Sequence, residues 1–189
     1  VDVRKDQNMD PAKIGAAISE NTKAVLPVHF TGRLCDMKLI QQIAQENNLL
    51  VVEDAAQAMG AETTEYRAGS MSDAAAISLN PMKVFPGYGE AGAVLTDDPE
   101  IDRRLRGLRY LGTQRKEICT EISLNHKMDE MQAAMLLTGF DSIDAIVGAR
   151  IEMAVHYSGR LCEIVSGPPV PDIDDRSSNY FDYVIFVED

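Results

Sequence analysis

Two residues in this chain are of the kind that perform covalent or proton-transfer chemistry. Asp54 follows Leu49-Leu50-Val51-Val52 and Glu53, and a carboxylate at the end of an apolar run is partly desolvated, so it needs a cation or several donors. It serves as an N-cap for Ala55-Ala56-Gln57-Ala58 or as the partner of a protonated heterocyclic nitrogen, and the pattern alone leaves both open. Lys83 lies past the apolar run Ala74-Ala75-Ala76-Ile77-Ser78, in a turn restrained by Pro81, Pro86 and Gly87. A turn lysine is ordinarily just solvated, but one held at a strand end forms a Schiff base with a carbonyl when its amine is free. His29 closes a third apolar run, Lys23-Ala24-Val25-Leu26-Pro27-Val28, and reads as a core, capping or functional histidine.

These positions depend on alternating elements. Asp10 before Pro11 predicts a helix to about Ser19, and Asp36 caps a second whose Met37, Ile40, Ile43 and Ala44 recur at helical spacing. Strands are expected at 23–29, with Pro27 as a blemish, at 49–52, covered on both faces, and at 74–78 and 93–96. Asp98-Pro99-Glu100 opens a helix through about Tyr110, and helices near 129–143 and 145–165 follow. A Pro/Asp-rich linker, Gly167 to Ser178, leads to a last β-rich run, Tyr183–Val187. Such alternation implies an α/β layer fold with a mainly parallel sheet, whose ligands bind beyond the carboxyl ends of the strands. His29, Asp54 and the Ser78–Lys83 turn stand at those ends.

The chain has 189 residues, 45% hydrophobic and 25% charged, with 18 basic against 30 acidic residues. That composition excludes disorder, and a net charge of −12 argues against nucleic acid or an anionic membrane as partner. No apolar run approaches the roughly 20 residues of a membrane span. Cys35, Cys119 and Cys162 are widely spaced and odd in number, so they read as reduced thiols of a cytoplasmic protein. Because Val1-Asp2-Val3 already resembles a strand and Tyr183–Val187 stops where it should be pairing, the chain reads as part of a longer one.

Glu53-Asp54-Ala55-Ala56-Gln57 and Ser78-Leu79-Asn80-Pro81-Met82-Lys83 closely resemble the sugar aminotransferases of the DegT/DnrJ/EryC1/StrS family. Pro27-Val28-His29-Phe30-Thr31-Gly32, Gly89-Glu90-Ala91-Gly92-Ala93-Val94 and the run from Asn125 to Ala134 match further parts of that pattern, in order. The resemblance implies the three-layer large domain of a fold-type-I pyridoxal-phosphate (PLP) enzyme, a mainly parallel sheet with helices on both faces. It implies a large domain over 1–144, a connecting helix over 145–165, and over 166–189 a linker with the first strand of a smaller C-terminal α+β domain. Lys83 is then expected to carry PLP as an aldimine, Asp54 to pair with the pyridine nitrogen, Gln57 to lie against the ring or its 3′-oxygen, and Ser78 to donate to the phosphate. Asn125 matches a residue that reaches the phosphate of the neighbouring subunit, which implies a homodimer, and His29 is expected to face the same site. The implied reaction is ping-pong transamination of a nucleotide-linked keto-sugar, with glutamate as donor. A sugar dehydratase or lyase, or a catalytically incomplete scaffold, are the alternatives. Some members carry histidine in place of the lysine and dehydrate instead, so Lys83 favours transamination.

Other signals are weaker. Gly87-Tyr88-Gly89-Glu90-Ala91-Gly92 is a literal GxGxxG, but strand-forming residues follow it where a dinucleotide site needs a helix. Asp172-Ile173-Asp174-Asp175-Arg176 begins like a calcium loop and then places Arg176 at a ligand position. Arg103, Arg104, Arg106 and Arg109 read as a salt-bridged exposed face, or else as a patch for a nucleotide diphosphate. Met128, Met131 and Met135 fall at helical spacing and read as core or subunit packing. His29, His126 and His156 have no metal spacing, and no metal site is expected.

Overall fold

The computed structural model describes residues 1–115, 117–165 and 174–187. Asp10 accepts from the Ala12 amide and Pro11 takes the first position of a 3₁₀ turn, Pro11–Lys13, which runs into α1 (Ile14–Ala17). The helix stops before Ser19 because Thr22 Oγ1 accepts from Ser19 N, Ser19 Oγ accepts from Asn21 N and Ser19 O accepts from Thr22 N, a local turn that competes with helical bonding. β1 is only Ala24–Val25. Pro27 has no N–H for the ladder, so the pairing lapses and resumes as a single bridge, Val28 with Asp54.

α2 (Met37–Glu46) is capped by Asp36, which accepts from Leu39 N, and it buries Met37, Ile40 and Ala44. These pack with Ile14, Val25, Cys35 and Val51 into one apolar cluster. β2 (Leu50–Asp54) runs parallel to β1 and to β3 (Ala74–Ser78), while β4 (Gly92–Leu95) closes the order β1-β2-β3-β4 antiparallel to β3. The expectation that β2 is covered on both faces is corrected. Its residues alternate, with Val51 and Glu53 buried and Leu50 53% exposed, because among the described residues only one face is packed.

α3 (Pro99–Arg109) begins at Asp98, whose carboxylate accepts from Glu100 N and Ile101 N. A small hairpin, β5 (Thr113–Gln114) with β6 (Ile118–Cys119), follows it. α4 (Glu130–Gly139) passes through the 3₁₀ turn Phe140–Ser142 into α5 (Ile143–Leu161). Leu136 of α4 packs on Leu79 and Phe85, and Val147, Ile151 and Ala154 of α5 pack on Val84 and Tyr180. Met128 joins the first of these clusters, whereas Met131 and Met135 face outward.

The expected linker residues 166–173 lie outside the described residues. Tyr183–Val187 forms no strand among the described residues. The chain instead folds back so that Tyr180, Phe181 and Tyr183 lie against α5, a turn made possible by the left-handed backbone of Tyr180 at φ +49°.

Candidate active site

The sheet ends place the candidate residues through register. Asp54 pairs with Ala76, and Ala55 N donates to Ala76 O at 3.0 Å, so Ser78 stands just past Asp54 on the adjacent strand. Side chains alternate along β2, which sends Glu53 into the core and Asp54 to the other face. The half-buried Asp54 carboxylate accepts from Ala56 N at 3.0 Å through Oδ1. Its Oδ2 meets no donor among the described residues. Ala55–Ala58 forms a turn, not a helix, so Asp54 closes an Asx turn with one oxygen and leaves the other available.

The loop after β3 is closed on itself. Ser78 Oγ accepts from Asn80 N at 3.3 Å, Asn80 O accepts from Lys83 N at 2.9 Å, and Leu79 O accepts from Gly87 N at 2.8 Å. Asn80 Nδ2 donates to both oxygens of Glu90, at 2.8 and 3.0 Å. A Cβ on Gly87 would lie 2.6 Å from Leu79 O, which explains the glycine. Val84 and Phe85 bury their side chains beneath the loop, and the half-buried Lys83 directs its amine to the face of Phe181, 4.6 Å from the ring centroid.

Gln57 is tied to this loop by a chain of contacts. Its Oε1 accepts from Thr31 N at 2.7 Å, and its carbonyl accepts from Asn179 Nδ2 at 2.8 Å. Asn179, fully buried, also donates to Met59 O at 2.9 Å and accepts from Phe181 N at 2.9 Å. Thr31, Gln57, Asn179, Phe181 and Lys83 therefore form one continuous set. Thr31, Asn179 and Phe181 were not among the residues expected from the sequence. Asn179 owes its place to a fold-back that no spacing signals.

His29 departs from expectation and is corrected: it faces the core. Its Nδ1 accepts from Cys35 N at 3.1 Å, so the imidazole is neutral and its Nε2 donates to Glu53 Oε2 at 2.8 Å. Both side chains are fully buried. Burial pushes the Glu53 carboxyl up. Donors from His29, Ser72, Gly69 and Met71 outweigh it and hold the group below the ordinary carboxylate value. Asn125 is exposed, bridged to Tyr110 through the backbone, and accepts from Lys127 N at 3.2 Å. None of its described contacts leads to Lys83.

A groove of about 1250 Å³ lies elsewhere, between β3–β4 and α3, and contains neither Asp54, Gln57 nor Lys83. Arg109, His126 and Lys127 line it. Arg103 pairs with Glu100, Arg104 with Glu121 and Arg106 with Asp102, so three of the four arginines belong to a salt-bridged surface. Gly92 begins a strand, which excludes the dinucleotide reading of the glycine motif. Arg176 pairs with Glu62 and Asp144, and among the described residues no three metal-ligating side chains gather. No described helix is long and apolar enough to cross a membrane.

An open α/β sheet with a lysine loop and a carboxylate on adjacent strand ends is the architecture of PLP-dependent transferase large domains, and the comparisons agree. The DegT/DnrJ/EryC1/StrS aminotransferase family model matches residues 1–189, and the chain belongs to that family. It is 40% identical to a dTDP-3-amino-3,4,6-trideoxy-alpha-D-glucose transaminase of Micromonospora megalomicea subsp. nigra, over 99% of this chain and 51% of that protein. It superimposes with TM-score 0.88 on a DegT DnrJ EryC1 StrS aminotransferase of Brucella abortus, at 31% identity over 98% of this chain and 52% of that one. A third match is ntda of Bacillus subtilis with bound cofactor PMP, at TM-score 0.86 and 30% identity over 100% of this chain and 43% of that one. The chain thus spans about half the length of the relatives it matches.

Proposed function

We propose that the protein to which this chain belongs transfers an amino group from an amino-acid donor, glutamate, to a nucleotide-linked keto-sugar with pyridoxal phosphate as cofactor. The observation that carries this reading is Asp54 at the end of β2 beside the Lys83 loop that leaves the adjacent β3, each residue with its reactive atom free of an ion pair. Asp54 Oδ2 has no donor and the Lys83 amine has no ion-pair partner among the described residues. A carboxylate, an amine and the Ser78 hydroxyl suit a cofactor that offers a basic ring nitrogen, an aldehyde and a phosphate. The dTDP-sugar transaminase relative and the PMP-bound structure support the substrate class and the cofactor.

In this reading Asp54 keeps a proton on the ring nitrogen by charge pairing, and Gln57, fixed by Thr31, borders the ring. Lys83 binds the aldehyde carbon through Nζ. Its amine, when free, would serve as the general base and then acid for the proton of the donor α-carbon. When bound, pyridoxal phosphate supplies the electron sink that makes that α-proton acidic. Ping-pong kinetics follow, because donor and acceptor use the same site in turn. We place residues 1–144 in the large domain, 145–165 in a connecting helix and 166–189 in the passage to a smaller domain. Asn125, exposed on its own subunit, is assigned to the phosphate of a partner in a cytoplasmic homodimer.

The test is Lys83→Ala in the full-length protein, assayed with a keto-sugar nucleotide and glutamate. Amine transfer should vanish, and borohydride should fix no cofactor to the chain. Turnover at the parental rate would refute the assignment.

A further inference from the structure

Lys83 has an aromatic neighbour where an ion-pair partner would be usual. Its amine lies over the ring of Phe181, and among the described residues no carboxylate pairs with it. Phe181 is not there by loose packing. Asn179 holds it through the Phe181 amide while donating to Gln57 O and Met59 O. Arg150 Nη1 donates to Tyr180 O at 2.7 Å, and the left-handed Tyr180 turns the ring under the lysine loop. Gly32 admits this strap only because it lacks a side chain, since a Cβ there would sit 1.8 Å from Asn179 Oδ1.

We propose that Phe181 is a positioning residue for Lys83, its ring face giving the free ammonium a fixed resting place beside the site. The proposal rests on the reading of Lys83 as the cofactor lysine. A lysine that must bind a carbonyl, leave it and return needs a partner that holds it weakly. A buried carboxylate binds an ammonium strongly and competes with release, whereas an aromatic face stabilises it only modestly. The ring also offers no acceptor for the ammonium protons, so the amine stays free to leave it.

The experiment pulses the cofactor-free, full-length protein with acetic anhydride and compares labelling of Lys83 with that of the exposed Lys5 and Lys23. Phe181→Leu should raise the relative labelling of Lys83 about fivefold, the scale of a cation–π contact. Phe181→Tyr, which keeps the ring face, should stay at the parental ratio. Lys5 and Lys23 are already exposed and serve as internal standards; a general loosening would instead lower the urea midpoint, which Phe181→Leu should keep. An unchanged ratio in a folded Phe181→Leu protein overturns the proposal. Should that variant not fold, the parental protein still decides: the Lys83 ε-methylene protons should show an upfield ring-current shift, and their absence overturns it. Borohydride fixation of added pyridoxal phosphate is run in parallel. Cofactor fixed on Lys83 with an unchanged ratio sinks this proposal and spares the proposed function, while cofactor fixed elsewhere sinks both.

Discussion

Glu53 offers the most exacting prediction. Its carboxylate is fully buried and accepts from His29 Nε2 at 2.8 Å and Gly69 N at 2.7 Å on Oε2, and from Met71 N at 2.9 Å and Ser72 Oγ at 2.7 Å on Oε1. Glu53→Gln keeps the shape but turns one oxygen into an amide NH₂. The cheaper orientation places that NH₂ toward Ser72, whose hydroxyl can turn fully to Ala74 O, 3.0 Å away. Met71 N–H then loses its acceptor, at a cost of about 1–3 kcal/mol. The His29 and Gly69 bonds fall from ionic to neutral strength, about 1 kcal/mol each. A neutral amide is cheaper to bury, which offsets part of this and leaves a loss of about 2–4 kcal/mol.

Urea denaturation of the parental and variant proteins at pH 7 measures it. The pH dependence has a definite sign. The folded Glu53 carboxyl lies below its ordinary value of 4.5, so its stabilisation is complete above that value and fades as pH falls through the lower folded one. The gap between the two proteins should therefore narrow below about pH 4.5. A gap under about 1 kcal/mol at neutral pH, or one that widens in acid, refutes the four-donor account.

Asn179→Ala strands Gln57 O, Met59 O and Phe181 N–H and should cost about 2–4 kcal/mol by the same denaturation. Gly32→Ala, at φ +88°, should be similarly damaging, and because its Cβ collides with Asn179, the double variant should lose less than the sum. Cys35 is buried, and its pKa is pushed up to about 12 by that burial, so it should stay inert to a disulfide reagent at pH 8 until the protein unfolds. The exposed Cys119 and Cys162 should react at once.

The parts of the fold carried by local patterns were legible. Asp36 and Asp98 cap their helices as their sequence positions require, and the runs 74–78 and 93–96 lie within one residue of β3 and β4. Pro27 was recognised as a blemish, yet its effect depends on which β2 residues lie opposite, and that is a matter of register. Asp54 ends β2 and Lys83 lies in the loop that leaves β3, because each follows an apolar run. His29 looks identical in sequence, and only the fold shows that Cys35 and Glu53 take both its nitrogens. The Asn179–Phe181 strap was illegible for a different reason. Its contacts reach back more than a hundred residues, and the aromatic run Tyr180–Tyr183 has the composition of a strand.

That separation also sets an order of events. A ribosome adding about 5–20 residues per second emits Phe181 some 5–20 s after Lys83. Throughout that interval the nascent sheet can pair and the Ser78–Gly87 turn can close, but the lysine has no ring to rest on and the Gln57 carbonyl lacks its Asn179 donor. The corner that holds Lys83 and Gln57 is thus completed late in synthesis, after the β1–β4 sheet and the α2 cluster.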